Sequence, residues 1–142
     1  MVNSIKSYEE YYRVRARTWE QQSMVRARFI AGNQQTGKNF INMVNSFTYR
    51  PKLEYESIIE ISRSREKIEQ DLAEEATKGK NIKLGYGGLA DIEFSVQILQ
   101  MMHGGKNSRL RETNTLCALA QLDALGIIDH EDSKNIKKNY LF

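Results

Sequence analysis

A chain of 142 residues is about one domain's length, and a chain of that size buries roughly two-thirds of its unfolded surface on folding. Its 21 basic and 18 acidic residues leave a net charge of only +3. That balance permits an anionic partner without demanding one, and it makes a nucleic-acid partner an unfavoured expectation. One cysteine excludes an internal disulfide framework and any multi-cysteine zinc site. MVNSIKSYEE lacks the apolar centre of a signal peptide, and no stretch approaches the ~20 apolar residues of a membrane span. The setting expected is cytoplasmic.

A single proline and 9 glycines leave long uninterrupted segments. The first helix is expected from Ser7, where Ser7-Tyr8-Glu9-Glu10 fits a capping box. Tyr12, Ala16, Trp19, Ser23, Ala27 and Ile30 then recur at steps of three and four. Gly32 reads as the stop of this one long helix. Phe40, Met43, Val44 and Phe47 mark a short second helix, and Pro51 ends that region.

The third helix is expected from about Glu54 to Ala76, with Ile58, Ile61, Arg65, Ile68 and Leu72 on one stripe. Lys78-Gly79-Lys80-Asn81 reads as a turn, and only Ile82-Lys83-Leu84 could be extended. The segment after it, from Ile92 to Met102, is apolar on most sides, as central helices are. Gly104-Gly105 stops it. A fifth helix runs from about Asn114 to Leu125 and stops at Gly126; a sixth runs from near Asp129 through Tyr140. The fold expected is all-α: a bundle of five to six helices with short connections, mostly antiparallel neighbours and one Gly-rich loop.

Gly32-Asn33-Gln34-Gln35-Thr36-Gly37-Lys38 has the glycine and lysine spacing of a P-loop. Asn39 follows where the Mg²⁺-holding hydroxyl should stand, and a helix precedes it instead of a strand. It reads as a linker between helices. Asp91 and Glu93 suggest a carboxylate pair, but two residues apart on a helix they diverge by ~200°. Asp91 is better read as the N-cap of the central helix, leaving Glu93 to face another helix. Gly87 and Gly88 permit a tight turn or a close approach to a phosphate, with Lys83 upstream to suit the second. Gly88 is expected at positive φ. Of the five arginines between Arg13 and Arg28, Arg26 lies towards the apolar side and is expected to pair with Glu93. His103 and His130 read as partners of helix C-terminal dipoles, and Cys117 as a small buried hydrophobe.

The stretches YYRVRARTWEQQSMVRARFIAGN, IKLGYGGLADIEFSVQILQMMHGG and LRETNTLCALAQLDALGIID, in that order, resemble the glutamine synthetase adenylyltransferase family. Trp19-Glu20, Arg26-Ala27-Arg28, Gly32, the Lys83-to-Phe94 block and Asn114-Thr115-Leu116 carry the resemblance. It implies large bacterial enzymes that attach AMP to a tyrosine of glutamine synthetase and remove it. Family members often have an arginine or another polar residue where this chain has Ala90, so no catalytic role passes to that position.

The resemblance also implies a nucleotidyltransferase core whose Gly-Ser motif and aspartates hold metal ions on ATP. Nothing before Ser7 matches that core. The 142 residues are therefore expected to be one helical domain of a longer enzyme, following a catalytic domain and inactive alone. ATP and Mg²⁺ belong to the parent. The implied partners are glutamine synthetase, the PII signalling protein and the neighbouring nucleotidyltransferase domain. Arg26, Arg28, Lys83, Gly87 and Gly88 are the candidates for nucleotide or anion proximity, with Asp91 and Glu93 ordering the loop. The alternatives are a helical domain of a PII uridylyltransferase and a stand-alone helical interaction module.

Overall fold

The computed structural model describes residues 4–75 and 81–141. Within them the chain is all-α, with seven α-helices and one short 3-10 turn. In order these are α1 (Ile5–Val14), α2 (Thr18–Met24), α3 (Gln34–Thr48), α4 (Tyr55–Glu75), α5 (Leu89–His103), the turn Ser108–Leu110, α6 (Thr115–Ala124) and α7 (His130–Leu141). The expected turn at Lys78-Gly79-Lys80 and the side chain of Leu72 lie outside the described residues.

The expected first helix is two helices. Its N-cap is Ser4, not Ser7: the Ser4 side chain accepts from the Ser7 amide. α1 ends where the amides of Arg15 and Ala16 both donate to the Tyr11 carbonyl. α2 restarts at once because the Glu20 carboxylate reaches back to the Arg17 amide at 3.1 Å, satisfying a donor that a helix start leaves free. After Met24 the chain leaves the helix, so the three-four stripe fails: Trp19 is half-exposed and Ile30 is 80% exposed.

The segment with P-loop spacing, Gly32 to Lys38, is not a linker either. Asn33 caps α3 by accepting from the Thr36 amide at 2.9 Å, and Gln34 to Lys38 are its first turns. Ile82 to Leu84 form a turn instead of an extended piece.

α5 contributes to two apolar clusters, which explains why it is apolar nearly all round. One contains Val96 of α5 with Leu110, Ala118, Leu119 and Leu122, closed over by Ile92, Leu99 and Ile136. The other joins Met101 of α5 to Val25 and Ile61, with Leu53, Phe94 and Ile98 against them. Burial of each such side chain contributes about 1.5–3 kcal/mol. α1 is joined to α3 by aromatic packing, with the Tyr12 and Phe47 ring centroids 4.7 Å apart.

Several polar side chains inside the bundle are paired across it. Gln22 of α2 donates to Gln97 of α5 at 2.9 Å, and Thr18 donates to Glu60 of α4. Gln100, 2% exposed, donates to the carbonyls of Leu110 and Glu112, at 2.6 and 2.8 Å. It pins the α5–α6 connection to the core.

Candidate functional site

The Gly-rich loop folds onto itself before α5 begins. The Asn81 side chain accepts from the amides of Lys83 and Leu84, at 3.1 and 2.9 Å. The Gly85 amide donates to Asn81 and the Gly88 amide to Gly85. The first amides of α5 are then occupied in turn: Leu89 donates to the Ile82 carbonyl at 3.1 Å, Ala90 to Lys83 at 2.9 Å and Asp91 to Gly88 at 3.0 Å. An open helix N-terminus offers such groups to an anion. Here the chain's own carbonyls take them.

Two expectations for this loop need correction. The N-cap residue is Gly88, with φ −78° and ψ 176°, and Asp91 is the third residue of the helix. Asp91 acts from there: its Oδ2 accepts from the Gly87 amide at 2.7 Å, folding the loop back over the first turn. A carboxylate in a first turn also suits the helix dipole. The residue at positive φ is Gly87, at +70°, not Gly88. Gly88 is required for space. A Cβ there would lie 2.7 Å from the Gly85 and Ile82 carbonyl oxygens and 2.9 Å from that of Lys83.

Arg65 of α4 locks the arrangement. Its side chain is only 8% exposed. Nε donates to Asp91 Oδ1 at 2.7 Å, while Nη2 donates to the carbonyls of Leu84 and Gly85 at 2.9 and 3.2 Å. Glu69, one turn along α4, lies 3.1 Å from the same Nη2, and the Phe94 ring centroid is 6.0 Å from the guanidinium carbon. A buried guanidinium is tolerated only when paired in this way. The sequence placed Arg65 on the core stripe of α4 and gave no sign that it holds the loop.

A second polar centre lies where four helices meet. Arg26, two residues past α2, sits 2.9 Å from Glu93 of α5, as expected, and donates to Thr115 of α6 at 2.8 Å. Tyr140 of α7 donates to the same Glu93 oxygen at 2.9 Å. The Arg26 and Glu93 side chains are 40% and 22% exposed, so the pair is partly solvated. Glu93 thus joins helices, while the loop bonds are made by Asp91.

The candidate anion-proximal residues therefore divide. Lys83, Gly87 and Gly88 belong to the self-satisfied loop. Arg26 is engaged with Glu93 and Thr115. Arg28 is exposed on the α2–α3 connection, facing a different groove.

Two smaller readings also change. Cys117 is exposed, not buried: α6 packs through Ala118, Leu119 and Leu122, which leaves Cys117 on the outer face. His130 opens α7 instead of closing a helix, and its Nδ1 lies 3.0 Å from Asp123. His103 is the last residue of α5.

The donor set does not fit a magnesium site. Among the described residues no three His, Cys, Asp or Glu side chains converge, and Asp91 and Glu93 each carry an arginine partner. No helix is long and apolar enough to cross a membrane among those residues.

The chain is similar in sequence to known proteins. Residues 1–43 match the family model described as glutamate-ammonia ligase adenylyltransferase. Over the full 142 residues the chain is 34% identical to a bifunctional glutamine synthetase adenylyltransferase/adenylyl-removing enzyme of Mycobacterium tuberculosis. The chain belongs to the glutamine synthetase adenylyltransferase family.

Residues 60–142 of this family member match the model described as GlnD PII-uridylyltransferase, so that domain makes up its C-terminal part. The enzyme of the same name from Streptomyces avermitilis is 39% identical over 134 residues, covering 93% of the chain and 13% of that protein. The Pseudomonas aeruginosa enzyme is 32% identical over all 142 residues. The chain spans 14% of the length of the M. tuberculosis and P. aeruginosa relatives.

Proposed function

We propose that this chain is a helical accessory domain of an enzyme that adds AMP to glutamine synthetase and removes it, following a nucleotidyltransferase domain in the parent. ATP and Mg²⁺ act on that other domain, in a cytoplasmic setting, and the helical part docks the protein substrate. The observation that carries the reading is similarity along all 142 residues to bifunctional glutamine synthetase adenylyltransferase/adenylyl-removing enzymes. The geometry is consistent with it: the carboxylates best placed for chemistry, Asp91 and Glu93, are tied to arginines and join helices.

A PII uridylyltransferase domain is the second reading, favoured by the match over residues 60–142. The test presents the 142-residue chain to immobilised glutamine synthetase, immobilised PII protein and an RNA oligonucleotide, and separately assays radiolabelled AMP transfer with ATP and Mg²⁺. Binding to glutamine synthetase with no AMP transfer is expected. Transfer by the chain alone overturns the accessory role. Binding to PII alone moves the assignment to the uridylyltransferase, and binding to RNA alone makes the chain an interaction module of another kind.

A further inference from the structure

A groove of about 420 Å³ lies between α3, the α2–α3 connection and the residues just before α6, within the size range of small-ligand sites. Its charged lining is all of one sign: Arg28 from the connection, Lys38 from α3 and Arg111 from beyond the 3-10 turn. Gln34, Lys38, Asn42 and Asn45 recur at steps of four, four and three, so α3 turns these polar side chains to the groove, with Ile41 between them. The connection adds the half-exposed Phe29 ring.

Arg111 is held in position. Its Nε donates to the Gly104 carbonyl at 2.9 Å and its guanidinium carbon stands 5.4 Å from the Tyr49 ring centroid. Burial, helped by the nearby Glu112, pushes the Tyr49 hydroxyl up to about 12 against the pull of Arg111, so this wall stays neutral. Arg28 and Lys38 are exposed, and among the described residues no carboxylate lies within ion-pair distance of either or of Arg111. Three cations line one groove with no carboxylate paired to them, an arrangement that suits a dianion.

We propose that this groove binds a phosphate-bearing small molecule, its phosphate held by Arg28, Lys38 and Arg111 and the rest of it by the amide face of α3 and the Phe29 ring. The site is separate from the Gly-rich loop, and it stands whether or not glutamine synthetase is the docking partner.

Calorimetric titration of the 142-residue chain with inorganic phosphate, AMP and adenosine at fixed ionic strength tests it. Phosphate and AMP are expected to bind, AMP the more tightly, and adenosine not to bind. The double variant Arg28→Gln/Lys38→Gln is expected to weaken AMP binding by about a hundredfold, since each charged hydrogen bond lost costs about tenfold or more. Its thermal midpoint and helical circular dichroism should match the parent chain, because both side chains are exposed. Lys83→Gln, on the loop, should leave binding unchanged. Equal binding by adenosine, retention of affinity in the double variant, loss of it in Lys83→Gln, or no binding of phosphate or AMP each overturns the proposal.

Discussion

The segments from Asn81 to Asp91 and from Val25 to Asn33 both link helices, and both carry glycine and basic residues, yet they dispose of their polar groups in opposite ways. In the first, loop carbonyls receive the opening amides of α5, and Arg65 with Asp91 closes the structure from beneath. In the second, Arg28 and the Phe29 ring line a groove and Ile30 projects to solvent. The glycine signature thus marks a loop whose helix-opening amides are already taken. The connection with the weaker signature keeps its chemistry available.

Removing the clamp breaks this contrast most directly. Arg65→Ala leaves Asp91 and two loop carbonyls without their buried partner, and a loss of about 3–5 kcal/mol in urea denaturation is expected. A loss below about 1 kcal/mol would mean the loop is held by its backbone bonds alone.

Gly88→Ala sharpens the same side of the comparison. It forces a methyl group against three carbonyl oxygens, which is overpacking, and costs about 1–3 kcal/mol. An unchanged denaturation midpoint would show that the turn has room and that glycine serves another purpose there.

On the other segment Ile30→Ser should shift stability by no more than about 0.5 kcal/mol, since the side chain is 80% exposed. A larger loss would place Ile30 in the folding core and end the distinction between the two connections.

The C-terminal half was largely legible because its signals are local. Asn114 caps α6 through its own side chain and Gly126, at φ +65°, follows it, close to where the hydrophobic spacing ends. α4 follows from its stripe, and α5 from being apolar on most sides. The N-terminal helix was misread because Arg15-Ala16-Arg17 contains neither glycine nor proline. The spacing of apolar residues runs unbroken across a real break. The signal that could have found it is Glu20, three residues after Arg17, answering the amide that starts α2.

In the candidate site, the Arg26–Glu93 pairing could be inferred from two charges beside apolar faces. The Arg65 clamp could not. Arg65 meets Asp91 across 26 positions and the loop carbonyls across 19 and 20, distances over which periodicity carries no information. The basic groove was hidden for the same reason, since Lys38 and Arg111 converge only once the chain has folded.

The border between the two matched families falls between residues 43 and 60, yet Val25 from one side packs with Ile61 and Met101 from the other. Gln22 reaches Gln97, and Arg26 reaches Glu93 and Thr115, across the same line. The residues matched on the C-terminal side therefore share their interior with residues from the other side of that border. A gene exchange that grafted residues 60–142 onto a foreign N-terminal partner would import half an interior, with a hole where Val25 belongs. Inheritance of this helical part would be all-or-none, crossing that border only when both faces of the seam travel together.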